Sequence, residues 1–158
     1  MNRIYIGLLA SLLVSTATVA STPDDILGYW RTIDDETGFA KAIVHIQRAD
    51  NNTYVGIVAE IIERPDYKPV QVCTICPEPF KGRRIVGMPL IWNMKAETHK
   101  GFQYTGGYAI DPISGKIYAG DIRLSPDSRR ITLRGKVIGA GFLNRSQTWL
   151  RENNYKPK

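Results

Sequence analysis

The chain contains 158 residues, of which 43% are hydrophobic and 23% are charged, and its formal net charge is +6. This composition is typical of one globular domain and is too apolar for an intrinsically disordered chain. Two cysteines cannot form a multi-disulfide framework, and with the two histidines they barely provide one zinc site. The composition therefore excludes a repeat array, a small disulfide-stapled scaffold and a multi-domain enzyme.

The first 20 residues have the pattern of a secretory signal peptide. Arg3 provides a basic start, an apolar run follows over residues 4–14, and small residues end at Ala20. A membrane anchor is the alternative, but polar residues from Ser15 onward dilute the run, and a membrane-spanning helix needs about 20 apolar residues. We predict cleavage near Ala20, no integral membrane segment after processing, and one periplasmic or secreted domain over residues 21–158.

The basic residues are spread along the chain and are not interleaved with aromatic residues. A positive balance attracts anionic partners in general. A surface that binds nucleic acid would also need aromatic side chains on which bases can stack. We therefore assign the charges to solvated surface and expect no nucleic-acid partner.

After the predicted signal peptide, the sequence begins with a short helical turn. From there on, apolar residues recur at every second position. Thr22 is a candidate N-cap, with Pro23 at the first helical position and Asp25 two residues later, and Gly28 ends the turn. Alternating apolar residues bounded by turn residues then predict strands. We expect eight strands, over residues 29–32, 41–47, 53–63, 86–92, 102–110, 116–124, 130–138 and 145–151.

Nearly all of these strands are joined by short turns, which favours local antiparallel pairing over a Greek-key sandwich. Glycines inside the strand patterns permit the sharp bends of a small closed barrel; they are Gly56, Gly106, Gly107, Gly120 and Gly135. The prediction is an all-β, antiparallel up-and-down β-barrel of about eight strands with a short N-terminal helical turn. Such a barrel encloses packed side chains or one small ligand.

An ordered set of short motifs runs along the whole mature chain. They are Asp25-x-x-Gly28-Tyr29-Trp30-Arg31-Thr32, Cys73-x-x-Cys76, Ile85-Val86-Gly87-Met88, Gly106-Gly107, Asp111-Pro112-x-Ser114-Gly115-Lys116-x-Tyr118, Leu133-Arg134-Gly135 and Arg145-x-Gln147-Thr148-Trp149-x-Arg151. Together they resemble a bacterial family of small secreted proteins that is catalogued as a domain of unknown function. The resemblance implies a lipocalin-like (calycin) barrel.

The same resemblance implies how the barrel closes. Lipocalin-like barrels carry Gly-x-Trp at the start of the first strand, and Gly28 and Trp30 match it. An arginine near the end of the chain lies across that indole in such barrels, and either Arg145 or Arg151 can supply it. A guanidinium over an indole face is worth about 0.5–2 kcal/mol. These four residues are expected to be structural.

Cys73 and Cys76 lie in a proline-rich segment between two predicted strands. In an oxidising compartment the simplest interpretation is a structural disulfide that staples this loop. Thiol–disulfide chemistry is the alternative, but thioredoxin-like proteins place such a pair at a helix N-terminus. Metal binding would need two further ligands, and His45 and His99 are far apart in sequence.

No motif in the chain joins a nucleophile to a base, and no glycine-rich phosphate loop is present. We therefore predict a non-enzymatic protein without a metal or cofactor. The predicted inner faces include Val55, Ile57 and Ile61 on the third strand and Leu90 on the fourth. From these faces we select as candidate ligand contacts Met88, Trp92, Phe102, Tyr104, Tyr108 and Tyr118, because apolar pockets carry a few polar groups such as tyrosine hydroxyls.

The sequence predicts a protein that binds a small apolar or amphipathic ligand inside its barrel. One alternative is a filled barrel that serves as an interaction module for an envelope protein. A second alternative is a thiol-redox protein or another enzyme.

Overall fold

A computed structural model describes residues 22–97, 103–140 and 144–157. The predicted signal peptide, His99 and Phe102 lie outside these residues. A 3₁₀ turn, Pro23–Ile26, precedes eight strands. The strands are β1 (Gly28–Ile33), β2 (Ala40–Arg48), β3 (Tyr54–Ile61), β4 (Pro89–Glu97), β5 (Gln103–Ile110), β6 (Ile117–Leu124), β7 (Arg130–Val137) and β8 (Asn144–Arg151).

Each strand pairs antiparallel with the next, and β8 pairs with β1 to close the barrel. Trp30 of β1 lies opposite Arg151 of β8 in this last ladder. The predicted all-β, up-and-down barrel with its short helical turn is confirmed. Within the described ranges, no helix has the length and apolar character that crossing a membrane would require.

One end of the barrel is closed by the 3₁₀ turn and by Arg151. The indole N–H of the fully buried Trp30 donates to the carbonyl of Ile26 at 2.8 Å. The guanidinium carbon of Arg151 lies 4.2 Å from the centre of the Trp30 ring. Arg151 also donates to the carbonyl of Leu27 at 2.9 Å, to that of Ser128 at 2.5 Å, and to that of Asp25. Burial lowers the pKa of Arg151, which remains a cation.

The main core lies between this closed end and the middle of the barrel. Tyr54 and Tyr104 meet there edge to face, with ring centres 5.1 Å apart. The residues around them are apolar and buried: Ile26, Trp30, Val44, Ile46, Ile91, Met94, Ile122, Leu124, Ile131 and Trp149. The predicted inner faces of β2, β6 and β7 agree with this core.

The inner face of β3 differs from the expectation. Tyr54, Gly56 and Val58 are buried, whereas Val55 and Ile57 are only half-buried and turn the other way. A Cβ atom at Gly56 would lie 2.6 Å from the Ile91 side chain, so this position faces the core directly. The sequence pattern was ambiguous because β3 carries apolar residues on both faces.

The central strands β4 and β5 also change face, because each contains an irregularity. Asn93 and Gly106 both have positive φ, at 59° and 67°. The register of β5 with β6 shifts between Tyr104 and Gly107, so Tyr104 points inward and Tyr108 outward. A β-bulge moves every later side chain to the opposite face. Trp92 lies opposite Tyr108 in the β4–β5 ladder, stacks on it and also faces outward.

The connection between β3 and β4, residues 62–88, packs against the barrel and carries the Cys73–Cys76 disulfide. Phe80 from this loop packs against Trp92 with ring centres 5.2 Å apart, and Trp92 stacks on Tyr108 at 5.8 Å. A second buried cluster forms under the loop, made of Ala42, Val58, Cys73, Cys76, Phe80, Ile85, Met88 and Ile110.

We predict that Arg151→Met lowers the free energy of unfolding by about 2–4 kcal/mol. The substitution removes three hydrogen bonds that the guanidinium donates and its contact with the indole, while it keeps most of the apolar stem. Urea unfolding followed by tryptophan fluorescence measures the loss. Arg123→Met, on the exposed face of β6, is the control and is expected to stay within about 0.5 kcal/mol of wild type. Equal effects of the two substitutions would show that the closed end does not depend on Arg151.

Candidate functional site

A cavity of about 150 Å³ lies in the half of the barrel away from Trp30. Trp149 of β8 lines it and is fully buried in the main core. The wall is mainly aliphatic and includes Ile61, Leu90, Ile91, Met94, Ala109 and Leu133.

Two glycines on neighbouring strands make part of this wall. Gly120 of β6 and Gly135 of β7 are directly opposite each other, and both line the cavity. A Cβ atom at Gly120 would lie 2.0 Å from the backbone oxygen of Arg134, so no other residue fits this backbone. The strands therefore approach closely here, and no side chain from these two positions fills the space.

The cavity opens between the loops that join β1 to β2, β3 to β4 and β5 to β6. Lys41 follows the first of these loops, Pro69 and Val70 belong to the second, and Pro112 and Ile113 belong to the third. Since the 3₁₀ turn closes the opposite end, this end is the mouth of the barrel.

Arg145, at the start of β8, forms the centre of an ion network at the mouth. Its Nε and Nη2 atoms donate to the two carboxylate oxygens of Asp35 at 3.0 and 2.6 Å, and Nη1 donates to Asp111 at 2.8 Å. Hydrogen bonds with Asp35 raise the pKa of Arg145, and the same contacts hold the pKa of Asp35 below its usual value. The network joins β8 to the β1–β2 and β5–β6 loops.

Gln147 extends this network into the cavity. Its Nε2 donates to Asp35 at 3.3 Å, and its Oε1 accepts the indole N–H of Trp149 at 3.3 Å. Arg145, Gln147 and Trp149 alternate along β8 and all line the cavity. The inward face of β8 therefore supplies a cation, an amide and an indole, in this order from the mouth toward the closed end.

A second ion pair lies beside the first. The buried Asp34 pairs with Lys41 and accepts the Thr37 backbone N–H at 2.7 Å and the Thr37 hydroxyl at 2.8 Å. Burial acts to raise the pKa of Asp34, but the bonds from Lys41 and Thr37 outweigh it and hold the pKa well below 3.8. Asp34 thus fixes the β1–β2 loop at the mouth.

The disulfide loop supports the mouth from the side. The Cys73 sulfur lies 3.4 Å from the carbonyl oxygen of Pro112. A Cβ atom at Gly115 would lie 2.4 Å from the carbonyl oxygen of Ile75, between the two cysteines. The stapled segment is therefore packed directly on the β5–β6 turn, which carries Asp111.

The residues selected from the sequence as ligand contacts occupy different places. Tyr118 lines the cavity. Tyr104 packs against Tyr54 in the main core, where burial raises the pKa of its phenol. Trp92 and Tyr108 stack on the outer face under the disulfide loop, and Met88 is buried in the second cluster.

The two candidate arginines for barrel closure also separate. Arg151 lies over Trp30 at the closed end of the barrel. Gly28 is at the same end, two residues before Trp30. Arg145 lies at the mouth, because it is six residues earlier on the same face of β8. Sequence reasoning missed the role of Asp35, Asp111 and Gln147, since the aspartates belong to ordinary turn patterns and no local motif joins them to β8.

The arrangement offers apolar and hydrogen-bonding groups around one cavity. Among the described residues, no group of three His, Cys, Asp or Glu side chains could hold a metal. His45 stacks on Tyr29 outside the barrel with ring centres 4.3 Å apart. Both cysteines are joined in the disulfide.

Comparison with known proteins agrees with this architecture. Residues 28–151 match the model of a bacterial family described as "Uncharacterized protein conserved in bacteria (DUF2147)". The chain belongs to this family. No curated protein matches the sequence significantly.

Among solved structures, the fold is similar to that of protein HP1028 from Helicobacter pylori, which is described as belonging to the lipocalin family. The TM-score is 0.65 at 15% identity, over 82% of this chain and 84% of that one. At this identity the likeness establishes a lipocalin-like fold.

We predict that the ionisation of Asp34 makes the free energy of unfolding depend on pH. A carboxyl whose pKa is lower in the folded state stabilises the fold above its unfolded pKa, and this contribution disappears as the pH falls through the folded value. Asp34→Asn is expected to cost about 1–3 kcal/mol at pH 7, and its difference from wild type should shrink between pH 5 and pH 2. Urea unfolding at several pH values measures this.

The control is Asp50→Asn, at an exposed turn position between β2 and β3. We expect its unfolding curves to follow those of wild type at every pH. A difference between Asp34→Asn and wild type that stays constant down to pH 2 would contradict the assignment.

Proposed function

We propose that the protein binds one small, mainly apolar or amphipathic molecule in the barrel and performs no chemistry on it. The observation that carries this proposal is the cavity of about 150 Å³ with an aliphatic wall and hydrogen-bonding groups at its mouth. An engineered apolar cavity of about this volume in another protein binds benzene.

The volume limits the ligand. Pockets for drug-sized molecules occupy about 300–1,000 Å³, so this cavity accepts a single ring or a short alkyl chain. A larger molecule would extend through the mouth, past Lys41 and the loop that carries Pro69.

The alternatives receive less support. A barrel that acts only as an interaction module needs no internal space, whereas this barrel contains a cavity of about 150 Å³. A redox role for Cys73 and Cys76 would need an environment that stabilises a thiolate, such as a helix N-terminus. These cysteines instead lie in a turn that packs on the β5–β6 loop.

We also propose that the domain acts outside the cytoplasm, in the periplasm or after secretion. The basic, apolar and small-residue regions that end at Ala20 support export. The disulfide adds support, because such bonds persist in oxidising compartments.

For ligand binding, we expect the protein to bind indole or 1-hexanol with a Kd of about 0.01–1 mM, which is reasonable for ligands of this size. Isothermal titration calorimetry measures the affinity. Ala109→Phe places a benzene-sized ring in the cavity and should weaken binding by about tenfold or more.

The matched control is Ala119→Phe, which adds the same ring on the exposed face of the neighbouring strand β6. It should bind as wild type does. If neither probe binds wild type, and native mass spectrometry of detergent-free protein shows no bound molecule, the proposal is wrong.

For export, we expect the full-length chain expressed in a Gram-negative host to appear in the periplasm with a mature N-terminus at Ser21. Intact-mass measurement and N-terminal sequencing determine the processing site. Ala20→Arg is expected to block cleavage, because signal peptidase sites require small residues. An unprocessed wild-type chain in the cytoplasm would contradict the proposal.

A further inference from the structure

Charged side chains at the mouth of the cavity pair with one another, and this pairing limits the charge that a ligand can carry. Arg145 lines the cavity and would be the obvious partner for a carboxylate or phosphate group. However, it already holds two carboxylates, one of them through two parallel hydrogen bonds. Its charge is therefore neutralised within the protein, and the group of three carries a net negative charge.

The carboxylates are occupied as well. Both oxygens of Asp35 accept from Arg145, and one also accepts from Gln147. One oxygen of Asp111 accepts the backbone N–H of Ile113, and the other accepts from Ser114 and Arg145. A cationic ligand would therefore have to share these carboxylates with the protein groups that already donate to them.

The other charged side chains along the cavity are paired or exposed. Lys41 pairs with Asp34. Arg134 is exposed, and Asp121, also exposed, lies opposite it in the β6–β7 ladder. Arg145 and Lys41, the two cations that are not exposed, are thus each paired with a carboxylate.

We propose that the ligand of this cavity is uncharged, with a hydroxyl, carbonyl or amide group that reaches the mouth. An anionic ligand would lose its hydration and face the net negative charge of this group, and a cationic ligand would gain only carboxylates that Arg145 already neutralises in part. The lost hydration is expensive in a partly buried site. A neutral polar group has partners, because the hydroxyls of Thr32 and Tyr118 and the amide of Gln147 line the cavity. This inference rests on the proposed binding function and specifies its ligand class.

Two pairs of ligands of equal shape test the charge preference at pH 7. Benzamide and benzoate differ by an amide in place of a carboxylate, and benzyl alcohol and benzylamine differ by a hydroxyl in place of an ammonium. We expect the neutral member of each pair to bind the wild-type protein about tenfold or more tightly than the charged member. Titration calorimetry or NMR titration gives the four affinities.

A variant tests whether the Arg145 network causes the preference. Asp111→Asn keeps the shape of the side chain and removes one of the two negative charges beside Arg145. It should raise the affinity for benzoate relative to that for benzamide by about threefold or more. Asp50→Asn removes the same charge at the opposite end of the barrel and should change neither affinity.

The outcomes separate the two proposals. If benzoate or benzylamine binds wild type as tightly as its neutral partner, the ligand class proposed here is wrong and the binding function stands. If none of the four probes binds, and indole and 1-hexanol also fail, both proposals are wrong. Should Asp111→Asn fail to fold by circular dichroism, the four wild-type affinities decide the question alone.

Discussion

The stacking of Arg151 on Trp30 is the interaction on which the rest of the structure depends. A β-sheet with free edges exposes unpaired backbone groups, and an up-and-down sheet removes them only if its first and last strands pair. Trp30 and Arg151 lie opposite each other in that final ladder. The guanidinium also satisfies carbonyls of the 3₁₀ turn and of the β6–β7 turn. The same contact therefore closes the barrel laterally and seals one end, so an internal ligand must enter at the other end.

The cavity and its mouth also depend on β8. Inward positions on β8 recur every second residue, and they bring Arg145, Gln147, Trp149 and Arg151 onto one line through the barrel. The two arginines have the same side chain and opposite surroundings: Arg151 donates to backbone carbonyls beneath a 3₁₀ turn, and Arg145 meets two carboxylates from loops. Position along the strand, rather than residue type, separates the structural cation from the one at the mouth.

The sequence contained enough information for the barrel and for its closed end. Alternation identified the inward faces of β2, β6 and β7, and Gly28-x-Trp30 indicated where an arginine would stack. The faces of β4 and β5 were not predictable in the same way, because positive φ angles at Asn93 and Gly106 interrupt the alternation. Tyr108, which follows Gly106, faces outward and stacks on Trp92, and Trp92 packs against Phe80, although the spacing of both residues resembles that of cavity residues.

The ion network at the mouth was also beyond sequence reasoning, for a different physical reason. Asp35 and Asp111 lie 110 and 34 residues from Arg145 in sequence, and only the closed barrel brings the three together. Partly buried ion pairs contribute little net stability compared with apolar packing, so a gain in stability is a weak explanation for this group. What the network does fix is the relative position of β8 and two loops around the opening. A mouth held in this way is ordered before a ligand arrives, and binding then requires little additional loss of conformational freedom. The charges that hold the mouth together are paired with one another, and for this reason we propose that a ligand is selected by shape, apolar contact and neutral hydrogen bonds.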